Sequence, residues 1–122
     1  MIYRELSGFI LDAAFEVSRI LGPGLLERNY HNALFYELSA LGLKVEYNRP
    51  FTVKYKGNVV GEYLADLVVG DKVIIELKSV KAIGNDHIAQ LLNYLRISGC
   101  MLGLLFNFQN SRLEFKRFVL TQ

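Results

Sequence analysis

Asp66, followed ten residues later by Glu76-Leu77-Lys78, sets two acids and a lysine at the spacing of facing positions on an antiparallel hairpin. The run Val59-Val60-Gly61-Glu62-Tyr63-Leu64-Ala65-Asp66-Leu67-Val68-Val69 is β-branched and apolar, and Gly70-Asp71 is a tight-turn signal. Lys72-Val73-Ile74-Ile75-Glu76-Leu77-Lys78 reads as the returning strand. Strand residues alternate faces, so Glu76 and Lys78 point one way while Ile75 and Leu77 point the other. Carboxylates set among apolar neighbours need a partner charge or a metal. Mg²⁺ or Mn²⁺ is the expected cofactor, because hard cations take oxygen ligands, here Asp66, Glu76, the main-chain carbonyl of Leu77 and waters. A cation held in this way can activate water against a phosphodiester. Lys78 could stabilise the charge that develops on the phosphoryl group, or it could simply pair with Glu76 or Asp66.

Asp66 with Glu76-Leu77-Lys78 resembles the signature of the PD-(D/E)xK nuclease superfamily, with Ala65 where the motif has proline. Gly24-Leu25-Leu26-Glu27-Arg28-Asn29-Tyr30 resembles the GxxExxY pattern of a group of small proteins within that superfamily. Gln90-Leu91-Leu92-Asn93-Tyr94 resembles the QxxxY helix motif of its exonuclease-like branch. The resemblance implies an α/β fold with a restriction-endonuclease-like core, a mixed β-sheet flanked by helices. It also implies a metal-dependent nuclease with Asp66, Glu76 and Lys78 as its catalytic centre. Glu27 would then be a further metal ligand, direct or through water, although a carboxylate in a first helical turn is also favoured by the helix dipole. Tyr30 would support it from the same helix face. Gln90 and Tyr94, four residues apart on one face, would hold substrate phosphate or order the metal ligands. The implied partner is nucleic acid, with DNA expected. The alternative is a non-catalytic nucleic-acid-binding or assembly protein that keeps the fold.

The elements that must carry these residues follow from periodicity. Leu6, Phe9, Ile10, Ala13, Val17, Ile20 and Leu21 recur at helical spacing, and Gly22-Pro23-Gly24 ends that helix. A second helix is predicted from about Leu26 to Leu41, ending at Gly42. Leu43 to Asn48 alternates as a strand, Arg49-Pro50 is expected to interrupt it, and Phe51 to Tyr55 alternates again before the turn Lys56-Gly57-Asn58. After the acidic hairpin, residues 85–98 are helical, Met101 to Phe108 form a mostly apolar strand, and Leu113 to Leu120 form an outer strand.

The chain has 122 residues, is 52% hydrophobic, and is expected to be one nuclease-like domain over residues 1–122. A net charge of +2 is compatible with nucleic acid but gives little long-range attraction. Lys81 is a candidate phosphate contact, with Arg28, Arg49 and Arg96 behind it. Cys100 is the single cysteine, so neither an intramolecular disulfide nor a cysteine-rich zinc site can form, and a cytoplasmic setting is expected. No apolar run reaches bilayer-spanning length, so no membrane partner is expected. His31 and His87 read as ordinary helix residues. No interleaving of aromatic and basic residues marks a stacking platform for single strands. The segment from Leu113 to Leu120 is apolar on both faces, which suggests a homodimer that covers it.

Overall fold

The computed structural model describes residues 3–120. Helices α1 (Arg4–Leu21) and α2 (Glu27–Ala40) precede strands β1 (Val45–Tyr55), β2 (Asn58–Val69) and β3 (Val73–Lys78). Helix α3 (Asn85–Ser98) and strands β4 (Leu102–Asn107) and β5 (Glu114–Val119) follow. The five strands form one sheet in the order β1-β2-β3-β4-β5. All neighbours are antiparallel except β3 and β4, and α3 supplies the crossover that a parallel pair requires.

The sheet is therefore mixed, and it is covered on both faces. On one face Ile10, Ala14, Val17, Leu34 and Leu38 of α1 and α2 pack on Leu67, Ile75, Leu77, Leu104 and Phe106. On the other, Leu91, Tyr94 and Leu95 of α3 pack on Ala65, Val68, Ile74 and Leu105. β3 and β4 lie between these layers, which is why their sequences are almost wholly apolar. α3 rides so close to β4 that a side chain added at Gly103 would meet Leu91 at about 3.0 Å.

β1 corrects the expected break at Arg49-Pro50, for it runs through both residues. Pro50 lacks an N–H to give, but β1 is an edge strand paired only with β2, where proline is tolerated. The irregularity lies instead at Asn48, whose φ of 51° is left-handed, a conformation asparagine tolerates better than most residues. Tyr47 stacks on His31 of α2, whereas Phe51, four residues on, packs beneath α3. Strict alternation would keep both on one face, so β1 switches faces between them. β2 switches opposite it, since Leu67 faces α1 and α2 while Ala65 faces α3. Asp66 sits at that switch, between the register pairs Tyr47↔Leu67 and Arg49↔Ala65.

β5 is an edge strand, as expected. Its two apolar faces are partly covered within the chain: Phe118 and Leu120 pack on the α3 side, and Phe115 meets Phe15 of α1 edge to face.

Candidate active site

The β2–β3 ladder pairs Leu67↔Ile75, Val68↔Ile74 and Val69↔Val73, and one further step would set Asp66 opposite Glu76. At that step the carboxylates take over from the ladder. Glu76 Oε1 accepts the Asp66 backbone N–H at 3.1 Å, and Asp66 Oδ2 accepts the Leu77 N–H at 2.8 Å. Each acid thus locks the backbone beside the other, and the two are brought together as the hairpin spacing predicts.

Glu76 is 3% exposed, and Asp66 is half-buried. Burial, then the neighbouring negative charge of Asp66, push the Glu76 carboxyl from its usual 4.5 up to about 9. Left to itself, Glu76 therefore keeps its proton near neutral pH. A dication would replace that proton, so the donor set fits a hard divalent ion. Among the described residues no three His, Cys, Asp or Glu side chains gather closely enough to hold a metal. Glu27 is exposed in the first turn of α2, one turn before His31, and is not drawn in with the pair.

Lys78 forms no ion pair with either carboxylate among the described residues. Its ammonium donates to Gln90 Oε1 at 3.3 Å, Gln90 Nε2 donates to the Tyr94 hydroxyl at 3.4 Å, and that hydroxyl donates to the Leu64 carbonyl at 3.0 Å. Gln90 and Tyr94 thereby tie α3 to both strands of the hairpin. Burial and the charges of Glu76 and Asp66 push the Tyr94 phenol up to about 12, so it stays a neutral donor.

Tyr30 lies deeper than a site-lining residue. It is buried and stacked on Phe108, donates to the Gly22 carbonyl at 2.7 Å and accepts the Leu25 N–H at 3.1 Å. Its effect is to clamp the loop that launches α2. Lys81 is exposed in the β3–α3 loop. Arg49 is engaged by Asp71 at 2.5 Å and Glu46 at 3.0 Å, and Arg96 by Asn93.

Two residues at the site were not expected there: His31 reads from sequence as an ordinary helix residue, and Asn107 as part of an apolar strand. His31 Nε2 donates to the Asp66 carbonyl at 2.8 Å; a carbonyl can only accept, so that nitrogen carries the proton. Asp66 thus has both its main-chain groups held, by Glu76 and by His31. Asn107 is fully buried beside Lys78 in the β3–β4 register. It donates to the Val80 carbonyl at 2.8 Å and to Glu114 at 2.9 Å, and it accepts the Val80 N–H at 3.1 Å. The chain leaving Lys78 is fixed by these bonds. A histidine following Tyr30, and an asparagine inside an apolar strand, were the available signals.

A profile of the PD-(D/E)XK nuclease superfamily matches residues 4–118. The chain belongs to that superfamily. Two solved structures share the fold of this PD-(D/E)XK protein. The crystal structure of SSO0001 superposes with a TM-score of 0.61 at 20% identity, over 94% of this chain and 57% of that one. The alkaline exonuclease LHK-Exo from Laribacter hongkongensis superposes with a TM-score of 0.51 at 12% identity, over 94% of this chain and 82% of that one. The PD-(D/E)XK chain thus spans little more than half the length of SSO0001. No curated protein compared with it matches in sequence. No helix among its described residues is long and apolar enough to cross a membrane.

Proposed function

We propose that this PD-(D/E)XK protein, read as a member of the GxxExxY group, is a Mg²⁺- or Mn²⁺-dependent phosphodiesterase that cleaves nucleic acid, with DNA the expected substrate. The observation that carries the reading is the facing pair Asp66 and Glu76, each carboxylate bonded to the backbone beside the other, with burial opposing the ionisation of Glu76 unless a cation compensates it. Asp66, Glu76 and the Leu77 carbonyl would hold the ion, and Glu27 would reach it through water. When bound, such an ion neutralises phosphate charge and acidifies a water.

The rest falls to the chain. Lys78 Nζ, presented by Gln90, donates to the attacking water or to a phosphate oxygen and offsets the charge that builds on the phosphoryl group. The water oxygen forms the new P–O bond, the ester P–O bond breaks, and the departing oxygen takes up a proton. Tyr94 fixes Gln90, His31 and Tyr30 hold α2 in place, and Lys81 contacts the flanking phosphate. A second copy of the chain would pair beside β5, where Phe115 remains 39% exposed.

Single-stranded, double-stranded and branched DNA and RNA, each incubated with Mg²⁺, Mn²⁺ or chelator, test the reading. Cleavage that needs a dication and vanishes in Asp66→Asn is the expected result. Intact substrates throughout, or cleavage that persists in Asp66→Asn, would overturn it.

A further inference from the structure

Beyond Asp66, β1 and β2 leave β3 and continue as a two-stranded ribbon, since β2 pairs with β3 only over residues 67–69. Three aromatic rings gather where the ribbon leaves the site. Phe51 and Tyr63 are paired across its strands, and Tyr94 of α3 meets Tyr63 edge to face at 5.7 Å. They are not equally available. Tyr94 is 4% exposed, and Phe51 is half-buried with the Arg49 guanidinium 4.9 Å from its ring centre. Tyr63 is 40% exposed. Its ring leans on the tyrosine whose hydroxyl is bonded to Gln90, which in turn holds Lys78. Tyr63 lies three residues from Asp66, about 10 Å along an extended strand.

A flat apolar ring at that distance from acids and ammonium suits a nucleobase whose backbone phosphate lies at the site. Base–aromatic stacking requires the base to be out of a duplex, and it is tolerant of sequence because every base has a π-face. A duplex would keep its bases stacked on one another and offer Tyr63 only its backbone.

We propose that Tyr63 is a base-stacking, specificity-determining residue that makes the substrate of this site a single-stranded nucleic acid. The proposal rests on the nuclease reading for the place of the phosphate but not for the stack itself. Cross-strand pairing and a helix from later in the chain assemble the aromatic cluster, so no linear pattern displays it.

The test is fluorescence anisotropy of short labelled oligonucleotides with the whole protein in chelator, so that none is cut. Single-stranded DNA, single-stranded RNA and a blunt duplex of the same sequence are compared for the wild type, Tyr63→Ala, Tyr63→Leu and Tyr63→Phe. Wild type should bind at least one single strand more tightly than the duplex. Tyr63→Ala should weaken that binding by about 5- to 100-fold, the loss of one stacked base. Tyr63→Phe, which keeps the ring, should retain it. Tyr63→Leu keeps apolar bulk against Tyr94 without a ring, so it gives the same reading where Tyr63→Ala fails to fold. Equal affinity for duplex and single strand, unchanged affinity in Tyr63→Ala or Tyr63→Leu, or equal loss in Tyr63→Phe would each overturn the proposal. Cleavage is scored separately. Ring-dependent binding without dication-dependent cleavage removes the nuclease reading and keeps the stack, whereas cleavage without ring dependence does the reverse.

Discussion

Glu76 is held in a state that a carboxyl avoids in water. Its carboxyl rises from 4.5 to about 9, through burial first and the charge of Asp66 second, so the folded protein binds a proton that the unfolded chain would release. That contribution to stability is fully present below the unfolded value and is lost as pH rises through the folded one. The metal-free protein should therefore melt at lower temperature as pH is raised from about 5 to about 9, and Glu76→Gln should flatten the profile. Mg²⁺ should act in the opposite sense, raising the melting temperature more at about pH 8 than at about pH 5, because it binds the ionised pair. Calorimetric scans across this range check both signs. A metal-free melting temperature that rises with pH, and does so equally in Glu76→Gln, would contradict the account. The pair itself was legible in the sequence, because strand alternation and a tight turn fix which residues face each other. His31 was not legible, since nothing near it in sequence says that its ring nitrogen meets a carbonyl thirty-five residues away.

At the scale of the element, the hairpin and α3 act as one unit. Gln90 and Tyr94 join α3 to Lys78 on β3 and Leu64 on β2, while Asn107 on β4 closes the loop between β3 and α3. Helix periods, the acidic hairpin and the edge position of β5 could be read from residue patterns. The course of β1 through Pro50 could not, because an edge position is a property of the sheet and not of the dipeptide. Asn107 was missed for a related reason: one polar residue in Leu104-Leu105-Phe106-Asn107-Phe108 does not disturb an apolar strand pattern, although its partners lie in two other segments. Asn107→Ala strands the Val80 N–H and carbonyl and removes one of the hydrogen bonds to Glu114, which still accepts the Ile83 N–H. It should cost about 1–3 kcal/mol, several degrees of melting temperature, and should lower any cleavage rate by loosening the chain behind Lys78. Thermal melts with and without Mg²⁺ check this; a wild-type melting temperature would show that Asn107 holds nothing.

The whole molecule is a thin α/β/α sandwich whose charge is too small to gather a polyanion from a distance. A second copy beside β5 would double the available surface. Light scattering at micromolar concentration should then report about twice the 13.9 kDa chain mass, with Phe115→Glu restoring the single mass; Phe118, already packed on the α3 side, is the poorer site for that substitution. A monomer at every accessible concentration would contradict the pairing and leave the active-site account untouched. A role for Lys78 in the reaction and not in the fold would show in the single-turnover cleavage rate of Lys78→Met at saturating Mn²⁺. Such a role leaves metal affinity and melting behaviour as in the wild type and lowers the rate by about a hundredfold or more. A wild-type rate, or a variant that no longer folds with metal present, would contradict it.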